Sequence, residues 1–315
     1  MAQTAKTGHP GTTIKANEWR KYAKHKYLVF MFIPAVIYYC IFHYGPLYGV
    51  QIAFKDYMFL KGIAASPWAG LKHFNTMISI PSFMEVMRNT VIISGYKLIF
   101  GFPAPILFAI LISELRFLTF KKVVQTISYM PHFFSWVVLA GIFIQLLSPS
   151  SGPINQIIKS LGFEPIYFVA SPQWFRTVLV VTSIWKGVGW GSIIYLAAIT
   201  GINTEMYEAA TIDGATRVQC IRFITLPSLI PVITIMLILQ VGNIVQDDFD
   251  QIFNLYTPAV YRVGDVLSTY NYRRGVEGME YSFSTAVGLF LNVISFSLTF
   301  IANAIAKKVN EYGIW

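Results

Sequence analysis

The segment QVGNIVQDDFDQ, Gln240 to Gln251, crowds Gln240, Asn243, Gln246, Asp247, Asp248 and Asp250 onto the end of an apolar run. Amides and carboxylates supply paired donors and acceptors, the groups that hold a polyhydroxylated solute. Asn292 interrupts a later apolar run, and Lys97 and Lys186 each stand well inside one. Polar groups in such runs are costly unless they face a partner or a wet cavity. The plainer account of them is hydrogen bonding between helices and a hydrated helix end. A further group is Arg262, Arg273 and Arg274, spread among tyrosines between Tyr256 and Tyr281. A guanidinium pairs bidentately with a carboxylate, and exposed surface charge is the plainer reading.

Other chemistries are missing. No Gly-Lys dipeptide occurs, so no P-loop can form. No serine has glycine two residues before it, which excludes a nucleophile elbow. His9, His25, His43, His73 and His132 include no pair at the spacing of a helical zinc site. KGVGWGS, Lys186–Ser192, is glycine-rich but lies mid-run, where small residues let helices approach closely. No enzyme active site, cofactor site or metal site is expected in the chain.

The elements that position these residues are membrane helices. The 315-residue chain is 55% apolar and 12% charged, with mean hydropathy +0.55. A soluble domain carries about 25% charged residues, so this chain cannot coat a water-facing surface. Its formal charge of +9 then reflects basic loops at one membrane face rather than nucleic-acid binding. Cys40 and Cys220 do not suggest a disulfide framework. Six runs reach the roughly 20 residues needed to span a bilayer: about Tyr27–Phe54, Thr90–Ile112, Val123–Leu147, Thr177–Thr200, Phe223–Val245 and Ser282–Ile305. The expected organisation is a basic tail over 1–26, a six-span all-α domain over 27–306 and a short tail over 307–315. Lys6, Lys15, Arg20, Lys21, Lys24 and Lys26 precede the first span, and Arg116, Lys121, Lys122, Arg217, Arg222, Lys307 and Lys308 fall in short connections on the same side. Basic density therefore places both termini in the cytoplasm.

One cytoplasmic loop, 201–222, breaks the apolar rhythm. Asn203 or Thr204 can cap a helix, and Glu205 suits its first turn. Met206, Ala209, Ala210 and Asp213 recur at helical spacing, and Gly214 can end the helix in a left-handed conformation. A second helical stretch from Ala215 then re-enters the membrane near Pro227. Spacing alone leaves a solvated loop helix and a partner-docking knob both open.

Glu208-Ala209-Ala210, then Gly214, then Ile224, Leu226 and Pro227 resemble the EAA loop of binding-protein-dependent ABC importers; Asp213, Ala215, Gln219 and Pro231 fit the fuller sugar-permease form. Lys26–Tyr57, Phe249–Gly275 and the closing KKVNEYGIW are similar to a subgroup that imports fragments of complex polysaccharides, including pectin-derived and alginate-type chains. The resemblance implies the type I importer permease fold in a bacterial inner membrane. It also implies a coupling helix in which Glu208, Ala209, Ala210, Asp213 and Gly214 dock to an ATPase. The implied assembly has a second, different permease, two ATP-binding subunits that carry ATP and magnesium, and an extracytoplasmic solute-binding protein. Gln240, Asn243, Gln246, Asp247, Asp248 and Asn292 are then candidates for the sugar path. Arg262, Arg273 and Arg274 are candidates for contact with the binding protein or an acidic oligosaccharide. The alternative is a self-sufficient secondary transporter of a polar solute, which favours internal repeats and buried ionisable relays. No clear repeat is present, and Lys97 and Lys186 are what keep that alternative open.

Overall fold

Proline placement sets the bends of the spanning helices. Pro46, Pro103 and Pro227 each stand two residues beyond a five-residue π-helical stretch, Cys40–Tyr44, Lys97–Gly101 and Ile221–Thr225. Proline offers no N–H and its ring crowds the carbonyl one turn earlier, so a wider turn relieves the clash without ending the helix. The computed structural model describes residues 25–245, 248–310 and 313–314. Most of the basic N-terminal tail lies outside the described residues.

Among the described residues, five helices are long and apolar enough to cross a membrane: α1 (Lys26–Phe54), α2 (Pro81–Ser113), α5 (Phe175–Thr200), α7 (Arg217–Gly242) and α10 (Tyr281–Asn310). The sixth span is a bent pair, α3 (Leu118–Phe133) and α4 (Trp136–Leu146), which meet at 106°. The third span expected over Val123–Leu147 is thus a broken one. Pro131 disturbs the end of α3, and the Ser135 side chain then accepts the Val138 N–H to start α4 afresh. The fifth span also shifts. A capping box between Thr216 and Gln219 starts it at Arg217, and Asn243 closes it after Gly242.

Lipid is as apolar as leucine, so apolar burial alone does not drive spans together; close backbone approach and hydrogen bonds do. The glycines of α5 provide that approach. A side chain at Gly189 would collide with the Ser128 carbonyl of α3, and one at Gly191 would press on Pro105 of α2. Around this seam α5 packs along the second half of α2, and α7 packs along α10. Ile106, Ala109, Tyr195 and Leu229 form one buried cluster, and Phe83, Leu267, Tyr270, Phe283 and Val287 lie in another. None of the apolar window of α1 is buried, and only its last turns, Tyr48–Phe54, pack against α10. Among the described residues there is no strand, only an isolated bridge between Lys55 and Trp68.

The bundle has two unlike ends. One carries short connections: residues 114–117 and the loop after α5, which contains α6 (Thr204–Ile212). The other carries the long connections 55–80, 147–174 and 243–280. The last of these holds α8 (Phe249–Leu255) and α9 (Leu267–Tyr272).

Candidate functional sites

At the short-loop end, the chain builds α6 from local contacts. Asn203 Oδ1 accepts the Glu205 N–H at 3.0 Å, capping the helix. Its far end is a Schellman motif: the Gly214 N–H reaches the Thr211 carbonyl at 3.1 Å and the Ala215 N–H the Ala210 carbonyl at 2.8 Å. Gly214 sits at φ 78°, with nothing within 4 Å of where a Cβ would stand. The glycine is needed there for its backbone angle and not for room. Glu208, Ala209 and Asp213 are exposed on α6 and Ala210 is half-buried. Glu208 forms no ion pair among the described residues. The apolar side chains Met206, Ile212, Val218 and Phe223 are exposed around the same loop, Ile212 at 86%. The loop thus carries exposed apolar side chains beside an exposed carboxylate.

Two contacts tie this loop to the spans. The Tyr207 hydroxyl and Thr225 Oγ1 are 2.9 Å apart, joining α6 to the base of α7. Arg217 pairs with Glu114 at 3.2 Å, joining the start of α7 to the end of α2. The first contact joins α6 directly to α7, and the second joins α7 to α2.

The second site lies in the middle of the bundle. Lys97 Nζ pairs with Asp248 Oδ2 at 2.8 Å and donates to Gln251 Oε1 at 2.6 Å. Gln251 is fully buried, and its Nε2 donates to the Leu179 carbonyl at 2.7 Å and to Thr182 Oγ1 at 2.8 Å. The segment after α7 is thereby pinned to α2 and α5. Lys97, Asp248 and Gln240 line a cavity of about 210 Å³, together with Ser183 and Tyr195.

Of the residues expected on a sugar path, Gln240 and Asp248 meet at this cavity. Asn243 caps α7 instead. Asn292 lines a separate cavity of about 420 Å³ beside Ser268 and Asn271. Gln246 and Asp247 lie outside the described residues. Lys186 is not part of the cluster; its ammonium sits 4.6 Å from the centre of the Trp136 ring, a cation–π contact.

The three arginines of the long outer connection divide. Arg273 forms two hydrogen bonds to Asp265, at 2.9 and 2.5 Å, and lies over the Tyr261 ring. Asp265 is buried, and its hydrogen bonds raise the Arg273 guanidinium further above its ordinary pKa. Arg274 pairs with Glu280 at 2.6 Å and lies over Phe283. These two brace the loop internally. The Arg262 side chain is exposed and lines a cavity of about 440 Å³ with Arg88, Arg176 and Glu85. Arg176 is held in place by the Val263 carbonyl and by Asn89 Oδ1, and Asn89 in turn donates to the Arg262 and Asp265 carbonyls. Arg88 and Arg176 escape sequence reasoning because they open apolar helices, where a lone arginine reads as a membrane-surface anchor. Among the described residues no group of three His, Cys, Asp or Glu can hold a metal ion.

Residues 74–311 match the family model described as binding-protein-dependent transport system inner membrane component. The chain is 40% identical over 295 residues to the polygalacturonan/rhamnogalacturonan transport system permease protein YteP of Bacillus subtilis strain 168, covering 94% of this chain and 92% of that protein. A chain in the crystal structure of a bacterial ABC transporter involved in the import of the acidic polysaccharide alginate superposes with a TM-score of 0.87 at 40% identity, over 93% of this chain and 99% of that one. The bacterial alginate ABC transporter in complex with an alginate pentasaccharide-bound periplasmic protein gives the same TM-score and identity, over 94% and 99% of the two chains.

Proposed function

Because the chain belongs to the family of inner membrane components of binding-protein-dependent transport systems, we propose that it is the permease subunit of an ATP-driven importer of oligosaccharides cut from an acidic polysaccharide. The observation that carries the coupling part of this reading is the mechanical layout of α6. It is exposed on one side and tied to α7 on the other through Tyr207–Thr225, and α7 in turn pairs with the end of α2 through Arg217–Glu114. Glu208 offers its carboxylate to a basic residue of an ATPase, the alanines permit close packing, and Gly214 sets the angle between α6 and α7. ATP and magnesium belong to that partner, and this chain carries out no hydrolysis. The substrate class is supported by two relatives, a polygalacturonan/rhamnogalacturonan permease and a transporter involved in alginate import.

In this reading the short-loop end and both termini are cytoplasmic, and the membrane is the bacterial inner membrane. The long-loop end receives a solute-binding protein, and a second, different permease completes the path. Substrate enters from the binding protein and leaves inward when two ATPase subunits reset the spans. A chain that depends on partners in this way is tested by what it purifies with. Tagged chain is expected to bring down a second permease and an ATPase, and proteoliposomes of that complex are expected to take up oligogalacturonate only with ATP and binding protein. A chain that purifies alone and transports without an ATPase is the secondary transporter instead.

A further inference from the structure

We propose that Lys97 is the receptor for a sugar carboxylate inside the membrane, and that Asp248 is an internal carboxylate which occupies it until substrate arrives. The inference rests on the oligosaccharide-import reading and specifies the residue that selects acidic units. Lys97 belongs to the middle of α2, where a charged group is retained only for a partner or a function. Its two partners differ. The Asp248 side chain is 52% exposed, whereas that of Lys97 is 13% exposed. Asp248 is therefore the less enclosed member of the pair, and the one with fewer contacts to lose on leaving it. Gln251 supplies the other bond, and it is fixed by the Leu179 carbonyl and Thr182. When Asp248 swings away, Gln251 still holds the ammonium, and the vacated direction opens on the cavity.

The cavity suits a sugar carboxylate. Gly101 and Gly187 leave room on the facing helices, with nothing nearer than 3.8 Å to a Cβ at the first and nothing within 4 Å at the second. Gln240, Ser183 and Tyr195 offer hydroxyl and amide partners for the ring. Cavities linked to it through shared walls carry further positive charge. Arg176 lines both the outer arginine cavity and a neighbouring one of about 770 Å³, and Ile184 lines both that one and the Lys97 cavity. Along these adjoining spaces stand Arg88, Arg176, Arg262 and Lys97 against only Glu85 and Asp248. An anion is drawn to such a surface. Exchanging one carboxylate for another leaves the charge around Lys97 unchanged, so the step avoids stranding a buried ammonium.

The test compares Lys97→Met, Asp248→Asn and the exchange Lys97→Asp/Asp248→Lys in the reconstituted complex. It reads oligogalacturonate uptake together with the melting temperature of the complex. Lys97→Met is expected to lower uptake at least tenfold. Asp248→Asn is expected to lower the KM for oligogalacturonate, because the competing carboxylate is gone. The exchange variant is expected to recover melting temperature without recovering uptake. If the pair is only a brace, Asp248→Asn loses as much uptake as Lys97→Met, and the exchange restores both readouts; either result overturns the proposal. The two single variants decide the matter even where the exchange variant fails to assemble. Wild-type complex that takes up a neutral galactooligosaccharide but refuses oligogalacturonate overturns this proposal and the acidic part of the proposed substrate class, and leaves the oligosaccharide-importer reading standing. One that takes up neither overturns the oligosaccharide reading beneath it.

Discussion

The α6 loop and the Lys97 cluster are built at different distances along the chain. In the loop, Asn203 caps Glu205, Gly214 and Ala215 close on Thr211 and Ala210, and Thr216 boxes with Gln219. Each bond joins residues a few positions apart. Around Lys97 the partners are 151 and 154 residues away, and Gln251 reaches 72 residues back to Leu179. The first region keeps its shape from its own sequence and can move as one piece. The second exists only when α2, α5 and the segment after α7 are in place, so it reports their relative position. The proposed joint and the proposed path make these opposite demands.

The difference can be broken by removing one partner from each kind of contact. The largest effect is expected where a long-connection ion pair is buried. Arg273→Ala leaves Asp265, which is 5% exposed, without its cation, and a buried pair that loses one partner costs about 3 kcal/mol. The complex is expected to melt well below wild type, with partial recovery in Arg273→Lys, which restores charge but not the two-pronged geometry. An unchanged melting temperature in Arg273→Ala would show that this connection is not held by the pair. In the α6 loop the comparable change is Gly214→Ala. No atom crowds the site, so the cost is the left-handed backbone alone, about 1 kcal/mol. Melting is expected to shift by less than for Arg273→Ala, with Gly214→Asn milder still.

The smallest effect concerns an exposed pair. Hydrogen bonding from Lys72 holds the Asp56 carboxyl below its ordinary pKa. A lowered folded-state pKa adds stability above the ordinary value, and that addition is lost as pH falls through the lowered one. Melting measured across the acid range is expected to lose a small pH-dependent part in Asp56→Asn, because exposed pairs contribute little.

The same contrast explains what could be read from the sequence. The helix at 204–212 and the turn at Gly214 were legible because caps, helical spacing and a C-terminal glycine are local signals. The spans were legible from apolar length, except where Pro131 and Ser135 turn the third one. Lys97 and Asp248 each stood out as charges beside or within apolar runs, but nothing local pairs residues 151 positions apart. Arg273 and Arg274 resembled a free recognition surface until the fold supplied Asp265 and Glu280 as partners. Arg88 and Arg176 carried no signal that set them apart, since their meaning comes from Arg262 arriving beside them.

The central claim is that α6 passes ATP-driven motion into the bundle, and Glu208→Lys tests it most directly. The substitution reverses an exposed charge on α6 and touches no span. In proteoliposomes containing the whole complex, uptake per ATP hydrolysed is expected to fall at least tenfold, while the melting temperature of this chain stays at the wild-type value. Uptake per ATP equal to wild type would contradict the coupling role of the loop.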